Sequence, residues 1–238
     1  MTANPSTNGT VILPAYNEAE RLPDVLRGIS SCNLGLEVVV IDDGSHDATA
    51  ATARTHRATV ISHPLNLGYG AALQTGYKYA LRTQTSFLVQ MDADGQHDPT
   101  QIPLLVEPLL GDECDLVIGS RFAEDTGYKM GPLRSIGRKI MTGVAKLAGL
   151  QVTDPTSGFQ AMNRSMLEHY ASDDFPADYP DVDVLVRAHW GGFRVLERSV
   201  DMSESLRAST LHGGTRSIYY AYRMILSLLG AAFARRSA

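Results

Sequence analysis

The sequence predicts an α/β fold with a mostly parallel, doubly wound sheet flanked by helices. Three observations predict it. Short apolar runs alternate with helical patterns through the first 120 residues. The runs are β-branched and almost uninterrupted by polar residues, which is how strands buried on both faces read. Polar clusters then follow three of the runs, where an open parallel sheet places its ligands, beyond the carboxyl ends of its strands.

The elements follow in order. Strands are expected at 10–13 (TVIL), 36–41 (LEVVVI), 58–62 (ATVIS), 86–91 (SFLVQM) and 115–120 (DLVIGS). Between them lie helical patterns at 18–30, 47–56, 67–82 and 100–109. Asp47 follows a Gly-Ser turn, and Pro99 suits a first helical turn. This alternation implies right-handed crossovers between parallel strands. After residue 120 a glycine-rich loop (123–132) leads to a helix at 133–149 and a turn at 153–159. Helical patterns at 164–171 and 181–190, a short strand at 194–200 and a C-terminal helix complete the chain.

Composition bounds the function. Of 238 residues, 44% are hydrophobic and 20% charged, enough apolar material for a packed core. The formal net charge of −5 argues against nucleic acid as a partner. Cys32 and Cys114 form no metal-ligand spacing and read as reduced structural thiols. The first ten residues, MTANPSTNGT, hold no apolar signal core. No apolar run reaches the ~20 residues that a membrane-spanning helix needs.

The polar clusters are PAYNEAE (14–20), DDGSHD (42–47) and DADGQHD (92–98). Sheet topology gathers them on one rim, as one site. Asp92 and Asp94 repel each other unless a cation lies between them. A hard divalent ion, Mg or Mn, prefers such oxygen ligands and bridges to phosphate. Gln96 adds a neutral oxygen, whereas His97 is expected to make local hydrogen bonds. Asp42 and Asp43 either accept hydrogen bonds from a base or ribose or cap the next helix. Gly44 permits the tight turn beside them, and Gly68 and Gly70 permit close backbone approach. No GxGxxG, P-loop lysine, nucleophile elbow or zinc spacing is present.

Six segments occur together and in order: VILPAYNEAERLPDVL, EVVVIDDGSHDAT, NLGYGAALQTGYKYA, FLVQMDADGQHDP, DLVIGSRF and TDPTSGFQAMNR. With them the chain resembles the family 2 glycosyltransferases of the GT-A fold. Within these it is similar to the branch of dolichyl-phosphate mannose synthase and its bacterial polyprenyl-phosphate relatives. The resemblance covers roughly residues 10–200. It implies an extended or disordered N-terminus at 1–9, a GT-A domain at 10–212 and a C-terminal amphipathic helix at 213–238.

The resemblance also implies an inverting, metal-dependent transfer of a hexose from a nucleotide-diphosphate sugar of the GDP-mannose or UDP-glucose type. Pro14, Tyr16, Glu18, Ile41 and Asp43 match donor-binding positions. Asp92, Ala93 and Asp94 match the metal and diphosphate motif, with Gln96 as a further metal ligand. Arg121 matches an arginine that faces the sugar phosphate, and with Asp94 is the expected catalytic pair. A polyprenyl-phosphate acceptor is already anionic and needs no general base. Arg134 and Arg138, at i and i+4, share a helix face suited to that phosphate. A hydroxyl acceptor would instead require a carboxylate base. Asp181 and Asp183 are the candidates, although capping a helix suits them better.

A polyprenyl phosphate places the protein at the cytoplasmic, inner face of a membrane. The helical period of Ile218, Tyr222, Ile225, Leu226 and Leu229, closed by Arg235 and Arg236, suits the interface or a small integral membrane partner. The chain departs from the family at Ser205 and Leu211, where relatives carry an arginine and a lysine that clamp the donor phosphates. Arg207 and His212 lie nearby. This departure motivates a reading of another class, a nucleotide-sugar-binding module that acts with a membrane partner without turnover.

Overall fold

The computed structural model of the protein describes residues 8–124, 132–176, 180 and 182–203. Its first half alternates strands and helices: β1 (Gly9–Ala15), α1 (Leu22–Ser31), β2 (Glu37–Asp42), α2 (Thr49–Thr55), β3 (Thr59–Ser62), α3 (Tyr69–Arg82) and β4 (Phe87–Gln90). A 3-10 turn at Pro99–Gln101 leads into α4 (Ile102–Leu110), and β5 (Leu116–Ser120) follows. The second half holds α5 (Pro132–Leu147), β6 (Gln160–Asn163), α6 (Arg164–Tyr170), α7 (Val182–Trp190) and β7 (Val195–Ser199).

The strands form one seven-stranded sheet in the order β3-β2-β1-β4-β6-β5-β7. Every pairing is parallel except those of β6, which runs antiparallel to both β4 and β5. The sequence pattern did not show β6. It is four residues long, two of them Gln160 and Asn163, and it runs straight into α6. Its backbone pairs on both sides, so position in the sheet overrides weak local propensity.

Strand side chains alternate between two cores. Ile12, Val39, Ile41, Leu88 and Ile118 face α3, α5, α6 and α7 on one side. Val11, Leu13, Val40, Val89 and Val117 face α1, α2 and α4 on the other. This double covering is why the strands carry almost no polar residues. Gly76 lets α3 sit close to the sheet, since a Cβ there would lie 3.0 Å from the Cδ1 atoms of Ile12 and Ile41.

Helix α1 is capped poorly and held by packing instead. Pro23 sits in its first turn, and Leu22, Val25, Leu26 and Ile29 form its buried face. Helix α2 starts where the Asp47 carboxylate accepts from the Thr49 N–H at 2.9 Å, and the same carboxylate takes the Ala19 N–H at 3.2 Å. Asp47 thus ties the start of α2 to the loop after β1, while Asp42 accepts from the Ser45 N–H at 3.1 Å and closes the turn before it.

Gly44 has φ +71°, and a Cβ on it would lie 2.5 Å from the carbonyl carbon of Leu65. Replacing Gly44 with Ala should cost about 1–3 kcal/mol. Urea unfolding should show a lower midpoint and an unchanged slope. Cys114 is buried. Burial, with Asp115 beside it, pushes its thiol up to about 11. At pH 8 the Cys114 thiol is therefore protonated, and a thiol-disulfide reagent should spare it in the folded protein and modify it once urea is added.

Candidate active site

Strands β1, β2, β4 and β5 all end on one edge of the sheet, and β6 begins there. The three polar clusters, Arg121 and the 153–159 turn meet on that edge.

The loops after β1 and β2 are joined by their own side chains. The Asn17 N–H donates to Ser45 Oγ at 3.0 Å, and the His46 N–H donates to Asn17 Oδ1 at 2.8 Å. Asn17 has φ +57°, a conformation asparagine tolerates through such local bonds. The Glu18 N–H donates to Thr49 Oγ1 at 2.9 Å, and its carboxylate accepts from Arg21 at 3.3 Å. Tyr16 stands 40% exposed at the edge, its ring 6.3 Å from that of His46. Pro14 and Ile41 are strand residues paired with each other, and the Ile41 side chain is wholly inside the core. Only the backbone of Ile41 is left to face a ligand.

Asp43 is 4% exposed, and its carboxylate is heavily used. It accepts from His63 Nδ1 at 2.7 Å and from the N–H groups of Leu67 and Gly68 at 2.9 Å each. It thereby pins the whole 63–68 loop to the end of β2. Gly68, with φ +103°, turns that loop into α3.

The carboxylates after β4 have separate supports. Asp92 Oδ1 accepts from the Tyr69 hydroxyl at 2.9 Å, and its side chain is 29% exposed. Tyr69 in turn accepts from Gln90 Nε2 at 3.4 Å, and Gln90 accepts from the buried Tyr77 hydroxyl. Burial raises the Asp92 carboxyl above its ordinary value and Asp94 adds to the rise, while the nearby His97, the Tyr69 hydrogen bond and Arg121 offset it in part. Burial, with Asp92 alongside, pushes the Tyr69 phenol well above its ordinary value, so it stays a donor. Asp94 Oδ1 accepts from the Gln96 N–H at 3.0 Å, and its other oxygen accepts from the Gln96 side-chain amide. Gly95, at φ +78°, makes this turn. Ala93 is buried between the two acids.

His97 works locally, as expected. Its Nδ1 accepts from the Asp92 N–H at 3.0 Å and its ring stacks on Phe159 at 5.1 Å. Burial lowers its pKa, which keeps the ring neutral and Nδ1 an acceptor.

Arg121 leaves β5 into a carboxylate clamp. Its Nε donates to Asp154 Oδ2 at 2.7 Å and its Nη2 to Asp154 Oδ1 at 2.9 Å. Asp154 is 0% exposed. Arg138 joins the same turn, donating from Nη1 to the Thr153 carbonyl at 2.9 Å, and lies 4.0 Å over the Phe122 ring. Its Nε is shielded from solvent with no partner among the described residues. Asp183 is buried in the first turn of α7. The Arg134 side chain, Asp181, Ser205, Arg207, Leu211, His212 and the 213–238 segment lie outside the described residues.

Three residues that the sequence reading did not single out complete the site. Tyr69 and Asp154 hold Asp92 and Arg121. Gly158 lies against Tyr69 and Asp92: a Cβ there would sit 2.9 Å from the Tyr69 hydroxyl and 3.2 Å from Asp92 Oδ2. All three fall inside quoted motifs, but only the fold shows what they touch.

Among the described residues no group of three or more His, Cys, Asp or Glu side chains converges as a metal cage. Asp92 and Asp94 do fit a hard cation that completes its shell with water and phosphate oxygens. They stand one residue apart, are oxygen-only and partly exposed, and Asp94 raises the cost of charging Asp92.

The glycosyl transferase family 2 model matches residues 10–171. Polyprenol monophosphomannose synthase of Mycolicibacterium smegmatis is 32% identical over 85% of this chain and 80% of its own. Undecaprenyl-phosphate mannosyltransferase of Micrococcus luteus is 33% identical over 85% of this chain and 87% of its own. Glucosyl-3-phosphoglycerate synthase of Mycobacterium tuberculosis, solved with phosphoglyceric acid, shares the fold with a TM-score of 0.72. It is 23% identical over 94% of this chain and 80% of that one. The same synthase solved with Mn2+, UDP and glucosyl-3-phosphoglycerate has a TM-score of 0.69 at 22% identity, over 96% and 80% of the two chains. The chain belongs to glycosyl transferase family 2, as a glycosyltransferase.

Proposed function

We propose that the protein transfers a hexose, with inversion, from a nucleotide-diphosphate sugar to a membrane polyprenyl phosphate. The observation that carries this is the pairing, on one sheet edge, of two supported carboxylates with two arginines that both donate to the 153–154 turn. Asp92 and Asp94 serve the donor side, and Arg121 and Arg138 serve the phosphates of sugar and acceptor. The names of the two mannosyl-transferring relatives support the acceptor class. The Mn2+ and UDP of the distant synthase support the donor class and the metal.

In this reading Asp92 and Asp94 hold Mg or Mn, and Gln96 contributes its amide oxygen while its amide nitrogen keeps Asp94 in place. The metal, when bound, stabilises charge on the diphosphate. An acceptor phosphate oxygen attacks the anomeric carbon from the face opposite the diphosphate. The carbon–oxygen bond to the nucleoside diphosphate breaks, and its electron pair leaves with that group. The attacking oxygen is already an anion, so no proton has to be removed. Arg121 stands where charge develops, held there by Asp154 so that it need not reorganise. Tyr16, Glu18 and the 41–43 backbone line the nucleotide side. Among the described residues no helix is long and apolar enough to cross a membrane, so we propose peripheral docking at the inner face. The 213–238 segment, alone or with a small membrane partner, is our candidate for that docking.

A second reading, binding without turnover, rests on Ser205 and Leu211. Thermal-shift measurements with UDP, GDP and their sugars, with and without Mn2+, come first, since a ligand that binds only the folded state raises the midpoint. Transfer of radiolabelled sugar to a polyprenyl phosphate in vesicles then separates the readings. A shift without transfer supports the binding module; no shift with any donor sinks both.

Asp94→Asn should lower transfer by about 100- to 1,000-fold, remove the Mn2+-dependent part of the thermal shift and leave the ligand-free melting point unchanged. Tyr69→Phe should lower transfer by about tenfold, because Asp92 loses its orienting donor. Steady-state rates at saturating donor check that value.

A further inference from the structure

Beyond the arginines and their direct partners, one half-buried acid has no role in the reaction as described. Glu197 lies on β7, opposite Ile118 of β5. Its carboxylate crosses to the 153–154 turn. Both of its oxygens accept from the Thr153 N–H at 2.8 Å. Oε1 also accepts from the Asp154 N–H at 2.7 Å and from Thr153 Oγ1 at 3.2 Å. The turn is tied to β5 as well, through Ser120 Oγ and Thr153 Oγ1 at 2.9 Å. Arg121 follows Ser120 directly.

A bare turn needs only water for its N–H groups. Here a charged group from the sheet's edge strand takes two consecutive N–H groups, a stronger and shorter bond than a neutral acceptor makes. The consequence lies one bond further on. With its N–H fixed by Glu197, Asp154 has its carboxylate directed at the backbone N–H, Nε and Nη2 of Arg121. The carbonyl of the same turn receives Arg138 and the Thr142 hydroxyl at 3.2 Å. Glu197 therefore governs one turn on which both arginines rest.

We propose that Glu197 is a positioning residue for sugar transfer: through the 153–154 turn it sets the orientation of the Arg121 guanidinium. The inference rests on the reading in which Arg121 faces the sugar phosphates, but it has a readout of its own. Glu197→Gln keeps size and shape yet turns an NH2 group toward N–H donors, so one contact becomes a clash of donors.

The experiment uses the full chain. The Nε–H resonance of Arg121, assigned by its loss in Arg121→Lys, is followed by 15N NMR in the wild type and in Glu197→Gln. The proposal expects a moved and faster-exchanging resonance in the variant. Transfer by Glu197→Gln should fall by about 10- to 100-fold, in kcat and kcat/KM alike, as misplacing a transition-state group does. In the Arg121→Lys background the same change should cost less than about twofold, because the two residues act as one unit. An unchanged Arg121 resonance overturns the proposal, and so do penalties that simply multiply. Should Glu197→Gln unfold, Glu197→Asp carries the same readouts, since it keeps the charge but is one methylene too short. A wild type that binds donor and transfers nothing would refute the proposed function, while the resonance would still decide the role of Glu197.

Discussion

The ion pair between Asp154 and Arg121 is the contact on which the rest of the site depends. A carboxylate without solvent loses several kcal/mol of hydration, and only close, complete pairing recovers it. Asp154 has that pairing: three N–H groups of Arg121 and the Thr156 hydroxyl surround its two oxygens. Neither charge can leave without stranding the other. The end of β5 and the start of the 153–160 segment are therefore locked together.

The edge after β4, with Asp92 and Asp94, is built differently. Burial raises the Asp92 carboxyl, so its charge is held at a cost in the absence of a cation. A bound cation would turn charge at odds with its surroundings into charge that is satisfied. The same logic explains the neutral supports. Tyr69, Gln90 and Tyr77 form a relay without formal charge, ending in the core of the sheet. It orients Asp92 while leaving its charge uncompensated for the ligand. Arg121, in contrast, is fixed by a full opposite charge, which leaves it rigid but weaker as a field source. Rigidity suits a group that must meet a developing charge without moving.

Much of this was legible from the residues. Strands buried on both faces announced β1 to β5, and the polar clusters at their ends announced the edge where a site would form. Asp92 and Asp94 were legible as two acids that end a buried strand, and both stand on that edge. Asp43 was legible as important, but its visible work in the fold is holding the 63–68 loop, a contact between positions about twenty residues apart that no local pattern encodes. Asp154, Gly158 and Glu197 were illegible for the same reason. Their sequence neighbours look like an ordinary turn and an edge strand, and their meaning comes from strands that pair across more than thirty residues of chain.

The missed strand β6 explains why those residues matter together. A parallel sheet delivers strand ends to its active edge and returns through helices on its faces. It has no way to lay one continuous segment across that edge. By entering antiparallel between β4 and β5, β6 supplies one: the chain from Thr153 to Gln160 runs along the rim before it turns down into the sheet. Its first residues hold Arg121 and Arg138, and Gly158 lies against Asp92 and Tyr69. One short stretch thus spaces the carboxylates from the arginines. The cost is a strand too short and too polar to announce itself, tolerated because both neighbours satisfy its backbone. The geometry that a transferred sugar would meet is set by this exception to the parallel sheet.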